Sequence, residues 1–299
     1  MPHAINSEAP RLIETAWLEA AETKAVFAAI AAGGYEARAV GGAVRNALIG
    51  RPVMDVDIAT PAVPEEVVRL AAAAGLDTVP TGLKHGTITV IAGGVPFEVT
   101  TLRRDVETFG RHATVAYTDD WAADARRRDF TINAFYCSAD GRVYDPLGGY
   151  GDLAARRVRF IGDARERIRE DYLRILRFFR FTAEYAEGPP EAAGLSAAVS
   201  ERAGLKVLSG ERIHRELVRL LVAPGAVAAI ETMYDYGLVT ELIGLAARPG
   251  LMRRLADIES GHRLAPQPML RLAALAVEVT EDADHLGDRL KLSNAERER

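Results

Sequence analysis

The sequence predicts an α/β domain followed by an all-α region, and three observations carry that reading. Up to about Gly149, short runs of period-two alternation are interspersed with helical stretches. From Asp163 onward the apolar residues recur only at helical spacing, with Gly and Pro stops between the runs. No run of 18 or more apolar residues occurs in either half. At 299 residues, 48% of them hydrophobic, the chain is long enough for two or three domains with real cores.

Taken in order, residues 11–32 place Leu12, Ile13, Ala16, Trp17, Ala20, Phe27 and Ile30 at helical spacing, and Gly33-Gly34 stops that helix. Residues 37–40 form a short strand leading into Gly41-Gly42, and a helix of one or two turns follows, ending at Gly50. Residues 53–58 then alternate. Asp55 and Asp57 are expected to point one way from a strand, with Met54, Val56 and Ile58 packed into a core on the other side. Residues 64–74 read as a helix closed by Gly75. Residues 87–91 and 95–102 read as two strands joined across Gly93-Gly94, a strong hairpin signal. On the second of these Phe97 and Val99 share one face, and Glu98 and Thr100 share the other.

Residues 103–125 have weak periodicity, mixed charge and little apolar content, which predicts a mobile loop carrying Arg103, Arg104 and Arg111. Arg127, Arg128 and Asp129 then run into an apolar strand over residues 132–137. The Asp145-Pro146-Leu147-Gly148-Gly149 turn ends the first domain. Beyond it, Asp163 and Glu166 fit a capping box, and Ile168, Tyr172, Ile175, Leu176, Phe179 and Ala183 make one apolar stripe, ended at Gly188-Pro189-Pro190. Ser209 precedes a helix ended by Pro224-Gly225, and residues 226–236 and 251–260 read as further helices. Ser293 looks like the N-cap of a helix of which only the first turn follows, which suggests either a C-terminal portion beyond this chain or a frayed tail. The domains expected are a head over 1–150, a helical neck over 151–222 and a helical body, incomplete, over 223–299.

The net charge of −5 argues weakly against nucleic-acid binding, but its distribution matters more. Only four of the 37 positive residues are lysine, so arginine, the residue suited to forked contacts with phosphate and base edges, supplies the rest. Residues 126–180 hold 13 Arg against 8 Asp or Glu, a locally basic stretch that a solvated helix face would also produce. The single cysteine, Cys137, cannot form an internal disulfide and sits in an apolar run where burial is expected. With no basic-apolar leader pattern, these features give the expectation of a cytoplasmic protein with no membrane association.

The chemistry is expected in the stretch GGAVRNALIGRPVMDVDIAT, residues 41–60. Two carboxylates about 7 Å apart at their α-carbons on a rigid strand can converge on divalent cations that hold phosphate oxygens. A D-x-D in isolation is more often a half-buried strand with a solvated face; the glycine pair upstream favours the site. Gly41 and Gly42 have no side chain to keep the backbone from phosphate, although a tight structural turn needs the same residues. Glu98 is a candidate third carboxylate, or a charged residue on an exposed strand.

In order along the chain, GGAVRNALIGRPVMDVDIAT, FEVTTLR, RRDFTINA, REDYLRILRFFRF and SGERIHREL resemble the motifs of the tRNA nucleotidyltransferase and poly(A) polymerase family, in its bacterial and eukaryotic class, over about residues 39–221. The resemblance implies a polymerase-β-like α/β nucleotidyltransferase head on a small five-stranded sheet, followed by an all-α neck, body and tail. It implies addition of C, C and A to the 3′ end of tRNA from CTP and ATP, with Mg²⁺ as cofactor and no protein partner. Asp55 and Asp57 correspond to the chief metal ligands, and Glu98 to a helper of the first metal or a general base. Gly41, Gly42, Arg45 and Arg128 correspond to nucleotide-binding positions, Asp129 to the ribose-recognising carboxylate, and Asn133 to a supporting residue of the same motif. On the neck, Glu170, Asp171, Arg174 and Arg177 share one helix face by their spacing, which is also the pattern of an ordinary salt-bridge ladder. The family reading makes Asp171 and Arg174 the protein's substitute for a template base, with Arg177 among the nucleotide-binding residues and Glu170 holding Arg174. One departure is Asn46, where the family motif often has Asp. Competing readings are a poly(A) polymerase, an enzyme adding only CC or only A, and a catalytically silent RNA-binding module. PTGLKHGTITV resembles the tRNA enzymes rather than the polymerases.

Overall fold

The computed structural model describes residues 10–12, 15–82, 86–109 and 112–297, with the backbone alone at 81, 105–109 and 112–115. Expectations that fall on Ile13, on Leu83, Lys84 and His85 of the PTGLKHGTITV stretch, on Arg111 and on residues 298–299 lie outside the described residues. The chain forms two compact units that meet in sequence at Ala155 and Arg156.

The first unit begins with two helices, α1 (Ala16–Glu19) and α2 (Ala21–Ala32), broken at Ala20, whose backbone is extended at ψ 137°. The single helix expected over residues 11–32 is therefore two; Leu12 is buried outside either and donates its N–H to Gly141. Strand β1 (Arg38–Val40) leads through Gly41 into α3 (Gly42–Leu48), and β2 (Asp57–Thr60) follows. Helix α4 (Pro64–Ala73) starts with proline at its first position, where the missing N–H costs nothing. Strands β3 (Asp77–Gly82), β4 (Thr87–Ala92) and β5 (Val95–Thr101) come next. Gly93 and Gly94 both adopt positive φ, 56° and 82°, as a two-residue hairpin turn demands.

Residues 103–125 are not a loop. They form an antiparallel ribbon, β6 (Arg103–Phe109) with β7 (His112–Tyr117), and then helix α5 (Trp121–Arg126), capped by Asp120. β6 reads RRDVETF and β7 reads HATVAY, with too few large apolar groups to register as core-facing strands. Backbone pairing holds the ribbon instead. The apolar run after Asp129 is likewise only partly strand: residues Thr131–Asn133 make a 3₁₀ turn, and β8 (Tyr136–Cys137) is two residues long, paired with β9 (Val143–Tyr144). Helix α6 (Gly149–Ala154) follows; the Asp145 carboxylate accepts from the Gly149 and Tyr150 N–H groups at its start.

Among the described residues one mixed sheet has seven strands in the order β3-β4-β5-β2-β1-β8-β9, against the five expected. The two-residue strands β8 and β9 at one edge are too short to show in the sequence pattern. Its central pairing is parallel, β2 with β5 in the register Ile58↔Val99, while β1 runs antiparallel to β2. Ile58, Ile88, Val99, Leu102, Phe130 and Phe135 fill the core around it. Cys137 is buried there too, and burial pushes its thiol up to about 12, so it is an inert apolar neighbour.

The second unit is helical: α7 (Ala164–Glu170), α8 (Leu173–Tyr185), α9 (Ala192–Ser200), a 3₁₀ stretch over Arg202–Val207, α10 (Gly210–Leu221), α11 (Ala226–Asp235), α12 (Leu238–Ile243), α13 (Pro249–Gly261), α14 (Pro268–Ala276), α15 (Thr280–Leu290) and α16 (Asn294–Arg297). Ile168, Ile175, Leu176, Phe178 and Phe179 meet Ile213, Leu217 and Met233 in its core, and each is essentially inaccessible. The continuous stripe expected from Ile168 to Ala183 is interrupted. Asp171 is extended (φ −156°, ψ 107°), and its carboxylate accepts the Leu173 N–H at 3.1 Å, which ends one helix and starts the next. Within the same unit Arg180, only 3% exposed, donates to Glu216 at 2.6 Å and to Glu184 at 3.1 Å, fixing α8 to α10. Among the described residues no helix is long and apolar enough to cross a membrane.

Candidate active site

In the first unit the site is built where β1 gives way to α3. Gly41 takes φ 68° and ψ −114°, a conformation that any side chain would strain. Its N–H donates to the Phe135 carbonyl and its own carbonyl accepts from Arg45. A Cβ at this position would stand 3.6 Å from the Asn133 carbonyl and 3.7 Å from Arg128 Nη1, so the absence of a side chain leaves a hollow walled by those two residues. Arg45 is in the last turn of α3, buried, with its guanidinium on the Asn133 amide oxygen and the Asn46 side chain. Asn46 in turn donates to the Pro52 carbonyl at 3.2 Å. The neutral amide thus supplies the acceptor for Arg45 that an aspartate would.

The carboxylates lie one strand along. Strand β2 begins at Asp57, so Asp55 precedes the strand instead of sharing its face, and Met54 is 85% exposed rather than packed. Only Ile58 of the three expected core residues is fully buried; Val56 is half-buried. The loop before β2 has no partner strand to hold a two-residue period, so the alternation read there has no structural counterpart. The parallel register Ile58↔Val99 places Asp57 and Glu98, one residue earlier on each strand, side by side. On β5 the expected alternation holds: Phe97 and Val99 are buried and Glu98 is exposed.

The Asp57 carboxyl is pushed up to about 6, first by desolvation and then by the charges of Glu98 and Asp55, with Arg128 opposing. Its residue keeps solvent access, so the desolvation is partial; the crowding by two carboxylates demands the same direction. Among the described residues no three His, Cys, Asp or Glu side chains stand close enough to hold a metal by themselves. A cation bound here would take one or two carboxylates and complete its shell from water and phosphate, as Mg²⁺ commonly does. A carboxylate raised by its own kind is the electrostatic condition that such a cation relieves.

Behind these residues α5 and the 3₁₀ turn hold the arginine–aspartate motif. Asp129 is buried, and its Oδ1 accepts from the Phe130 N–H and from Asn133 Nδ2, both at 2.9 Å. Arg128 donates through Nη2 to Asp124 at 3.0 Å and through Nε to the Tyr136 hydroxyl at 3.3 Å. Sequence reasoning missed Asp124 and Tyr136. The signal for Asp124 was present, since it stands three and four residues before Arg127 and Arg128 on one helical turn.

In the second unit the residues expected on one helix face are divided by the break at Asp171. Glu170 accepts from Arg174 and, at 2.5 Å, from Arg167, and Arg174 also donates to the Arg167 carbonyl at 2.7 Å. Asp171 accepts from Arg212 of α10 at 2.7 Å, a partner 41 residues away for which the sequence carries no local signal. Arg177 lies 3.4 Å from Glu216 and over the Phe181 ring. Asp171 and Arg174 are therefore neighbours held by different partners, not a ladder of four.

The model described as "Poly A polymerase head domain" matches residues 37–159, and the one described as "Probable RNA and SrmB- binding site of polymerase A" matches residues 195–251. The chain is 45% identical over 266 residues to the Danio rerio protein named CCA tRNA nucleotidyltransferase 1, mitochondrial, which covers 88% of this chain and 61% of that one. It is 41% identical over 225 residues to a Geobacillus kaustophilus protein named CCA-adding enzyme, covering 75% and 54%. It thus spans about three-fifths or less of the length of these relatives. The crystal structure of a Bacillus stearothermophilus CCA-adding enzyme in complex with CTP superposes with a TM-score of 0.74 at 32% identity, over 93% of this chain and 67% of that one. On a head-domain match that contains Asp55, Asp57 and Glu98, and a solved relative followed over two-thirds of its length, the chain belongs to class II of the tRNA nucleotidyltransferase and poly(A) polymerase family.

Proposed function

We propose that this chain transfers nucleotides without a nucleic-acid template, adding C, C and A to the 3′ end of tRNA from CTP and ATP and releasing pyrophosphate. The observation that carries the reading is the crowding of Asp55, Asp57 and Glu98 beside the hollow of Gly41, into which Arg128 also faces. The names of the zebrafish and Geobacillus relatives support the substrate. A 3′-hydroxyl bonds to the α-phosphorus, the bond to the pyrophosphate oxygen breaks, and the hydroxyl proton passes to a carboxylate.

Asp55 and Asp57 would hold Mg²⁺, with Glu98 assisting or taking the proton. The metal, when bound, lowers the charge cost of attack and departure at phosphorus. Gly41 and Gly42 let phosphate approach the backbone, and Arg128 binds its charge. Arg45 and Asn133 brace that hollow, and Asp129 accepts from a ribose 2′-hydroxyl in this reading. In the second unit Asp171 and Arg174 choose the base. Cytosine and adenine each present an amino donor beside a ring-nitrogen acceptor, which a carboxylate and a guanidinium match; uracil and guanine present the reverse order. Glu170 keeps Arg174 oriented, and Arg177 completes the nucleotide-binding set.

The head over 1–150, neck over 151–222 and body over 223–299 are proposed as the working divisions of this activity. A cytoplasmic location is proposed likewise, although the zebrafish relative is named as mitochondrial. The test is incubation with tRNA lacking its CCA end, Mg²⁺, and CTP alone, ATP alone or both. Three added residues with both nucleotides support the proposal. Two added residues even with both nucleotides present, one residue from ATP only on a tRNA already ending in CC, a long adenosine tract or no extension identify instead a CC-adding enzyme, an A-adding enzyme, a poly(A) polymerase or a silent RNA-binding module.

A further inference from the structure

Asp124 is 1% exposed, and both oxygens of its carboxylate are engaged. Oδ1 accepts from Arg127 Nε at 2.8 Å and Nη2 at 2.7 Å, and from the Arg103 backbone N–H, where β6 begins, at 3.3 Å. Oδ2 accepts from Arg128 Nη2 at 3.0 Å and from the Tyr136 hydroxyl at 2.7 Å. Asp124 thereby grips Arg128 at Nη2 and Tyr136 grips it at Nε, while Nη1 borders the space that a Cβ on Gly41 would fill. A guanidinium fixed at two nitrogens cannot rotate without breaking both bonds, so the direction of the third is set from behind.

We propose that Asp124 is a positioning residue: its buried carboxylate aims Arg128 at the glycine hollow, so that affinity for the phosphates of a nucleotide depends on a side chain that never touches them. That carboxylate divides its oxygens between two adjacent arginines and takes a hydroxyl that also contacts one of them. Burial alone would raise this carboxyl, but Arg128, Arg127 and the Tyr136 hydroxyl hold it down to about 2, so it stays charged wherever the protein is folded and functional.

The inference rests on the reading of Arg128 as a phosphate ligand, and its test separates the two. Binding of CTP and of CMP, with Mg²⁺ present, is measured by calorimetry for the unsubstituted chain, Asp124→Asn, Arg128→Ala and the double variant. The expected result is that the preference for CTP over CMP falls about tenfold in Asp124→Asn, as one charge-assisted bond is lost. It should fall no further when that change is added to Arg128→Ala. General loosening would weaken both ligands equally and leave the ratio alone. A folded Asp124→Asn chain with the original ratio overturns the proposal, as does a full additive loss in the double variant. If the unsubstituted chain itself shows no preference for CTP, the phosphate-binding reading fails, and the positioning assignment with it. Should Asp124→Asn not fold, Tyr136→Phe carries the test: a ratio about threefold lower supports the proposal, and an unchanged ratio refutes it.

Discussion

Replacing Asp57 by Asn should move activity and stability in opposite directions. Asp57 opens β2 with buried Ile58 behind it and Glu98 beside it on β5, and its carboxyl is pushed up to about 6. An unfolded aspartate titrates near about 3.9. Between those two pH values the folded chain binds more protons at this site than the unfolded one. Stability therefore falls as pH rises through the window, and the cost stays constant above it. The gap would be worth roughly 3 kcal/mol if fully expressed. The side chain keeps contact with solvent, and screening there reduces the figure to about 1 kcal/mol.

The amide introduced by Asp57→Asn cannot ionise and escapes that cost. At pH 7.5 in EDTA the variant should melt about 2–4 °C above the unsubstituted chain, and at pH 4 the two should coincide. Mg²⁺ should stabilise the unsubstituted chain by binding its folded form and stabilise Asp57→Asn far less. Nucleotide incorporation should vanish. Differential scanning fluorimetry over a pH series, run beside a tRNA extension assay, reads all three. A variant that melts lower in EDTA at pH 7.5, or that keeps near-normal turnover at ordinary Mg²⁺, refutes the carboxylate-crowding argument.

Other outcomes follow from the same geometry. Arg174→Ala should let UTP or GTP compete with CTP and ATP, because an unmatched polar pair costs on the order of 1–3 kcal/mol per group; full discrimination in single-nucleotide extension assays would assign base choice elsewhere. Arg180→Ala leaves Glu216 and Glu184 without their shared cation, and chemical denaturation should show a loss of about 3–5 kcal/mol from the second unit. In acid, the stability that Asp124 contributes is present above about pH 4 and lost as the pH falls towards 2. Asp124→Asn should therefore flatten that part of the acid unfolding curve, followed by circular dichroism.

The elements that were legible are those whose signal is local. The glycine pair at 93–94, the proline opening α4 and the alternation around Glu98 each needed only their own few residues, and each is where the sequence placed it. Three misreadings each have a physical cause. The ribbon of β6 and β7 is held by backbone pairing that side-chain hydrophobicity does not report. Met54 alternates correctly but in a segment without a neighbouring strand, so nothing covers it. The stripe through Tyr172 continues at helical spacing across a break made by one carboxylate's preference for capping over helix interior. In the site, Asp55, Asp57 and Glu98 could be named from pattern, but Arg212 could not, because its bond to Asp171 spans 41 residues.

The break at Asp171 also bears on how a helix can present a base-reading pair. Within a continuous helix, residues three apart share a face, and both side chains lean towards the N-terminal turn. An extended residue frees Asp171 from that constraint, so its carboxylate can be directed by Arg212 on α10 while its Oδ1 still caps Leu173. Arg174, the second residue of α8, is held by Glu170 and the Arg167 carbonyl of α7. The two members of the proposed pair are thus restrained by separate helices. A small movement between α7 and α10 would change the spacing of donor and acceptor without unfolding either helix. If the pair reads cytosine at two steps and adenine at the next, as proposed, such a movement would let it meet two bases of different size that share one donor–acceptor order.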